Sequence, residues 1–122
     1  MIKCKYGDIV LVNFGFSEGI GFKKRPALVI SSEAYHAERQ EVVILAITSN
    51  VNRILLGDTK ISQWKEAGLL YPSLVTAIIR TVKSDMIFRK IGEISQVDLN
   101  KVNENVRKII GRSQKSLLHA AG

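Results

Sequence analysis

Cysteine is almost missing from this chain of 122 residues, because Cys4 is its single thiol. One cysteine excludes an intramolecular disulfide and any metal cluster built from several thiolates. A chain without disulfides suits a reducing compartment, so we expect the protein in the cytoplasm.

Long hydrophobic runs are missing as well. The longest apolar run is the six residues 42–47, and residues 1–8 hold no apolar stretch of signal-peptide length. A membrane-spanning helix needs about 20 apolar residues. We therefore expect no membrane segment.

Histidines and paired carboxylates are scarce, which limits the chemistry that the chain can perform. His36 lies in a polar stretch and His119 lies three residues from the end, so they make a poor acid and base pair. The carboxylates occur singly, without the spacing of a zinc or calcium site. The glycine-rich segment is not a phosphate-binding P-loop, since Gly21 is followed by Phe22. We expect no metal and no cofactor.

The composition is that of an ordinary folded protein, with 46% hydrophobic and 24% charged residues. The length suits one hydrophobic core, so we expect a single domain over residues 1–122. Residues 112–122 show weak patterning, and we expect this tail to fray.

Positive charge dominates, with 18 basic residues against 11 acidic ones and a formal charge of +7. This charge favours a polyanionic partner such as RNA, DNA or anionic lipid, although it also serves solubility. The basic residues cluster in three blocks, which are 23–25, then Arg80, Lys83, Arg89 and Lys90, then Arg107, Lys108, Arg112 and Lys115.

Short β-branched runs bounded by turn residues predict five strands, at 8–14, 26–31, 42–48, 73–82 and 86–94. The absence of a helical crossover among the first three favours an antiparallel sheet or small barrel. Ser95 and Asp98 resemble a capping box, which predicts a helix from Ser95 to just before Gly111. Its apolar stripe should pack on the sheet.

Two connections stand out between these elements. Gly15, Gly19 and Gly21 lie in the loop between the first two strands, which is either a mobile flap over a groove or a long hairpin turn. Ser62 and Gly68 can begin and end one or two helical turns around Trp64. We expect Trp64 to be a packing residue.

Two strand ends carry polar groups suited to binding a phosphate. Arg25 precedes Pro26, which biases it to an extended backbone at the start of a strand, and its guanidinium can hold a phosphate with two hydrogen bonds. Thr48 ends the third strand. Both residues also fit a solvated strand end without function.

Five segments in the same order resemble the MazF/PemK toxin family. They are Gly-Asp-Ile-Val-Leu-Val-Asn-Phe at 7–14, Lys-Arg-Pro-Ala-Leu-Val-Ile-Ser at 24–31, Ala-Ile-Thr-Ser-Asn at 46–50, Trp-Lys-Glu-Ala-Gly-Leu-Leu-Tyr-Pro-Ser at 64–73, and the pairs Arg-Thr at 80–81 and Ile-Gly at 91–92. The resemblance runs from about residue 6 to residue 111.

The resemblance implies a mainly β fold, an SH3-like small barrel of about five to seven short strands with a C-terminal helix. It also implies a homodimer that cleaves single-stranded RNA without a metal and is inhibited by an acidic antitoxin. Arg25 and Thr48 match the family's catalytic pair. The RNA-binding residues would be Lys23, Lys24, Ser49, Asn50, Ser73 and Arg80. The RNA motif and the identity of the antitoxin cannot be read from the sequence.

The implied chemistry is attack of a ribose 2′-hydroxyl on the adjacent phosphate, which leaves 2′,3′-cyclic phosphate and 5′-hydroxyl ends. Such a reaction needs charge stabilisation more than a protein nucleophile. Two alternatives share the fold: a gyrase poison like CcdB, whose aromatic C-terminal tail is absent here, and a catalytically silent RNA-binding barrel.

Overall fold

A computed structural model describes residues 3–15 and 22–111. Its elements are β1 (Asp8–Gly15), β2 (Phe22–Val29), α1 (Glu33–Arg39), β3 (Glu41–Thr48), β4 (Thr59–Lys60), β5 (Leu74–Lys83), a 3-10 turn (Ser84–Met86), β6 (Ile87–Glu93) and α2 (Gln96–Arg107). The strands form one sheet in the order β4-β5-β3-β2-β1-β6, with every neighbouring pair antiparallel. The predicted mainly β fold with a C-terminal helix is therefore confirmed, with six strands.

Both faces of the central strands are buried. Ile9 and Leu28 face each other in one core cluster, which Leu99 and Val102 of α2 also join. The paired Val10 and Ala27 belong to a second cluster on the other face. Burial on both faces explains why β1 and β3 are continuously apolar in their central residues, 9–12 and 42–47, and do not alternate with polar residues. Among the described helices, none is long and apolar enough to cross a membrane.

Strand bounds differ from the sequence prediction mainly in β2. This strand begins at Phe22, four residues before the predicted start, because its ladder with β1 continues outward to the pair Gly15 and Phe22. The short strand β4 was not predicted. Its two residues, of which Thr59 pairs with Val75, are too few to give a periodic signal.

The helix α1 is also absent from the sequence prediction, since its residues form a polar stretch. It has seven residues and none of them is buried, so it carries no apolar stripe. Local signals define it. The Ser32 hydroxyl accepts a hydrogen bond from Tyr35 N at 3.2 Å, and Gln40 ends the helix with φ of 55°.

The predicted cap of α2 is confirmed, but the reciprocal bond of a capping box is replaced by a tertiary contact. Ser95 Oγ accepts from Asp98 N at 3.1 Å. The Asp98 carboxylate instead accepts from Ser62 N, Ser62 Oγ and Gln63 N at 2.7 to 3.1 Å. Asp98 thus ties the start of α2 to the segment before the groove described below.

The segment 62–68 forms successive turns and no regular helix. Ser62 donates to Asp98 and does not act as a side-chain cap, which differs from the prediction. Gly68 ends the turns with φ of 89°, as predicted. Trp64 packs against the core cluster of Ile9 and Leu28, which confirms its packing role.

Candidate functional site

A groove with a volume of about 510 Å³ opens between the start of β2, the end of β3, the segment 68–73 and β6. Its lining combines basic, hydroxyl and apolar side chains. The lining residues are Leu11, Lys23, Lys24, Arg25, Pro26, Ile47, Thr48, Ser49, Gly68, Leu69, Leu70, Tyr71, Ser73, Arg89 and Ile91.

The basic side of the groove is the first half of β2, where Lys23, Lys24 and Arg25 are all exposed. Arg25 pairs with Val12 in the antiparallel ladder, and this regular pairing fixes its place along the rim. The Lys24 ammonium lies 3.7 Å from the centre of the Phe88 ring, a cation–π contact that holds it toward β6.

A second strand brings another arginine to the same place. Leu11 of β1 pairs with Pro26 on one side and with Arg89 of β6 on the other. Residues that are directly opposite in antiparallel strands share a face of the sheet. Arg89 therefore faces the same side as Pro26, across β1, and adds a fourth cation to the groove.

The hydroxyl side of the groove is the end of β3. Thr48 is half-buried and pairs with Leu74 of β5. Its Oγ1 accepts a hydrogen bond from Asn50 N at 3.1 Å, which turns the chain away from the sheet. Because this bond uses the oxygen only as an acceptor, the hydroxyl hydrogen can be donated to an anion.

The wall of the groove is the segment 68–73, which is anchored at both ends. A Cβ on Gly68 would collide with the carbonyl oxygen of Ile91, and a Cβ on Gly92 would collide with that of Ala67, so the wall lies directly on β6. Ser73 is buried, and its hydroxyl donates to the carbonyl oxygen of Tyr71 at 2.7 Å.

The electrostatic character of the groove follows from this lining. Four cationic side chains line it, and no acidic side chain does so among the residues that the structure describes. Such a surface attracts phosphate oxygens and raises the local concentration of polyanions. It can stabilise added negative charge on a bound phosphate.

The structure brings together most of the candidate residues that the sequence indicates. Lys23, Lys24, Arg25, Thr48, Ser49 and Ser73 all line the groove. Asn50 and Arg80 do not, since Asn50 accepts from Asn52 N beyond the end of β3 and Arg80 lies on β5 opposite Ile44. Their RNA-binding roles stay predictions.

Of the three glycines in the predicted flap, the structure describes only Gly15. Gly15 ends β1, opposite Phe22. Gly19 and Gly21 lie outside the described residues, as does the tail 112–122 with His119.

Three exposed groove residues were not singled out from the sequence: Leu70, Tyr71 and Arg89. Arg89 was noted only as part of a basic block. Its position depends on the register of β6 against β1, which shifts twice along the ladder and leaves no trace in the sequence pattern. Leu70 and Tyr71 follow the buried Leu69, and their exposure depends on how the wall is anchored.

A separate cavity of about 480 Å³ lies beside α1 and is lined in part by Cys4 and His36. His36 Nδ1 lies 3.2 Å from the Cys4 carbonyl oxygen, and its Nε2 lies 2.6 Å from Ser31 Oγ. Burial raises the pKa of the Cys4 thiol, Asp8 raises it further and Lys90 opposes them. His36 therefore joins α1 to the N-terminal segment, away from the groove.

Metal-ligating side chains do not converge anywhere in residues 3–15 and 22–111. No group of three or more histidine, cysteine, aspartate or glutamate residues there is placed to hold an ion. The polar side chains that line the groove in the described chain are cations and hydroxyl groups.

Several solved structures share this fold. A MazE–MazF complex from Deinococcus radiodurans matches with a TM-score of 0.77 and 19% identity, over 93% of this chain and 100% of that one. An endoribonuclease in complex with its cognate antitoxin, from a mycobacterial species, matches with a TM-score of 0.70 and 18% identity, over 86% and 92%. The Mycobacterium tuberculosis toxin MazF-mt6 matches with a TM-score of 0.68 and 22% identity, over 83% and 93%.

No curated protein sequence matches the chain. The family model of PemK-like, MazF-like toxins of type II toxin–antitoxin systems matches residues 5–110, which is most of the chain. This chain belongs to the PemK-like, MazF-like family of type II toxins.

Proposed function

We propose that this toxin is an endoribonuclease that cuts single-stranded RNA at selected sequences without a metal ion. The observation that carries the proposal is the groove in which Arg25 and Thr48 lie with three further cations and no described carboxylate. That set suits binding of an RNA backbone and stabilisation of charge on one phosphate. Named endoribonucleases among the structures that share this fold support the same activity.

Arg25 is the residue that we assign to charge stabilisation. A 2′-hydroxyl that gives its proton to solvent and attacks the adjacent phosphorus forms a pentacoordinate phosphorane with two negative charges, and the Arg25 guanidinium can donate two hydrogen bonds to it. The bond to the 5′-oxygen then breaks, which leaves a 2′,3′-cyclic phosphate and a 5′-hydroxyl. A guanidinium is a weak acid, so the proton for the 5′-oxygen comes more readily from solvent than from Arg25.

Thr48 is assigned to positioning. Its hydroxyl donates to a non-bridging phosphate oxygen while Asn50 N holds its oxygen in place. Lys23, Lys24 and Arg89 bind neighbouring phosphates and set the path of the strand along the groove. A mechanism that requires the 2′-hydroxyl explains selectivity for RNA over DNA.

The proposal includes the assembly and partners of the family. We propose a homodimer, because pairing of protomers would cover exposed apolar side chains such as Ile78 and Phe88. Light scattering tests this against a protomer mass of 13.6 kDa. We also propose an acidic antitoxin as the partner, in line with the antitoxin complexes of structures that share the fold, and cytoplasmic RNA as the target.

The experiment is digestion of single-stranded RNA in EDTA with analysis of both new ends. We expect cleavage with 2′,3′-cyclic phosphate and 5′-hydroxyl ends, and no cleavage of DNA of the same sequence. A requirement for magnesium, or 3′-hydroxyl ends, would overturn the metal-independent mechanism. RNA that is bound but never cut would identify a silent RNA-binding barrel, and the absence of both binding and cleavage would leave a gyrase-poison type of action.

A further inference from the structure

Tyr71 is the one aromatic side chain among the described residues that line the groove, and it lines a second cavity as well. The second cavity, of about 320 Å³, is bounded by Ser49, Val51, Tyr71 and Pro72. Tyr71 and Ser49 therefore stand between two adjoining spaces. Tyr71 is 64% exposed, so its ring is accessible from the groove.

The backbone on both sides of Tyr71 is fixed. The buried Ser73 donates its hydroxyl hydrogen to the Tyr71 carbonyl oxygen at 2.7 Å. Pro72, which lies between them, has a fixed φ and restricts the backbone of Tyr71. Upstream, the contact of Gly68 with β6 and the burial of Leu69 anchor the chain. A fixed backbone presents the ring at little further cost in conformational entropy.

The chemistry around this ring suits an unpaired nucleobase. Cations at Lys23, Arg25 and Arg89 can follow a phosphate backbone, while an exposed ring at the edge of that path offers a flat surface for stacking. Basic grooves combined with aromatic platforms are the usual means of binding single strands, because every base has a π face.

We propose that Tyr71 is a base-stacking residue that holds one nucleotide of the RNA and thereby sets which neighbouring phosphate reaches Arg25 and Thr48. This inference rests on the proposed function for its substrate. Tyr71 is a positioning and specificity residue and takes no part in bond making. Its phenol oxygen is not needed for stacking, so phenylalanine should replace it.

The test uses the full chain and a non-cleavable RNA strand, made with 2′-O-methyl groups and carrying the fluorescent base 2-aminopurine at successive positions. Stacking on an aromatic ring quenches this base. We expect quenching at one position with the wild type and with Tyr71→Phe, and its loss with Tyr71→Ala. Tyr71→Ala should weaken binding about 10- to 100-fold, while Leu56→Ala, which removes another exposed side chain away from the groove, should leave it unchanged.

A strand with an abasic site at the quenched position gives the decisive control. Tyr71→Ala and the wild type should bind this strand equally, because the partner of the ring has been removed. If Tyr71→Ala binds and quenches like the wild type, the stacking role is wrong, and a Tyr71→Ala effect that persists on the abasic strand overturns it too. A wild type that stacks but does not cut refutes only the proposed cleavage, and one that binds no RNA refutes both.

Discussion

At the scale of single residues, Asp98 shows how one carboxylate supports a site that it does not touch. Asp98 is fully buried, and it accepts hydrogen bonds from Ser62 and Gln63. Burial raises the pKa of its carboxyl, but the bonds from Gln63 N, Ser62 Oγ and Ser62 N outweigh burial and hold that pKa below its usual range. The ionised form is therefore the one that stabilises the fold.

Asp98→Asn should lower the free energy of unfolding by about 2 to 3 kcal/mol, since an amide cannot satisfy all these donors. The exposed Asp85→Asn, which makes the same change of charge, should have little effect. Urea unfolding measures both. Equal stability of the Asp98 variant and the wild type would show that these hydrogen bonds contribute nothing net.

The same residue predicts a pH dependence. The pKa of Asp98 in the folded state lies below the unfolded value of about 3.9, so its contribution to the free energy of unfolding is fully present above about pH 4. It is lost as the pH falls through the lower folded-state pKa. The stability difference between the wild type and Asp98→Asn should therefore be constant at neutral pH and shrink only below about pH 4. A difference that shrinks near neutral pH would contradict the assignment.

At the scale of elements, the closest backbone approach that supports the groove is that of the wall segment to β6. Gly68 and Gly92 each face a carbonyl oxygen of the opposite segment, and Gly68 has φ of 89°. Any Cβ at either position must push the wall away from β6. The width of the groove thus depends on two glycines that carry no functional group.

Gly68→Ala and Gly92→Ala should each destabilise the fold by at least about 1 kcal/mol. They should also weaken RNA binding, because the wall residues move with the segment. Gly111→Ala is the matched control, since a Cβ there meets nothing within 4 Å. Thermal unfolding together with RNA titration checks this, and a Gly68 variant with the stability of the Gly111 variant would refute the close approach.

Strands and helices could be predicted from the sequence where an apolar run or a capping residue marks them within a few neighbouring residues. Apolar runs marked five of the six strands, and the Ser95 cap marked α2, because burial and capping leave signals within a few residues. The helix α1 buries nothing and β4 has two residues, so neither has a period to detect. Arg25 and Thr48, which the sequence points to, both line the candidate groove, whereas the positions of Arg89 and Tyr71 depend on strand register and on a glycine contact that only the tertiary structure defines.

At the scale of the whole molecule, the charge of +7 acts on any polyanion. A groove lined by Lys23, Lys24, Arg25 and Arg89 presents the same field to RNA and to a run of aspartate and glutamate residues. An acidic antitoxin tail should therefore compete with RNA for the groove. The exposed Leu70 at its wall, 81% accessible, offers an apolar anchor for such a tail.

This competition can be measured with the product of a short acidic reading frame beside the toxin gene. RNA binding should fall as the acidic protein is added, and both complexes should weaken as salt rises, because screening reduces each attraction. As salt rises, the affinity for the acidic protein should fall less than the affinity for RNA, since salt does not screen apolar contacts. Tight binding of the acidic protein that leaves RNA cleavage untouched would show that the two ligands use different surfaces.

Arg25 is expected to stabilise the transition state of RNA cleavage. The most direct measurement is the single-turnover cleavage rate in EDTA for Arg25→Ala, compared with Arg53→Ala, which removes an exposed arginine outside the groove. We expect Arg25→Ala to lose at least about 100-fold in rate, the scale of one lost transition-state donor, and Arg53→Ala to keep the wild-type rate. An Arg25→Ala protein that cleaves as fast as the wild type would contradict the account.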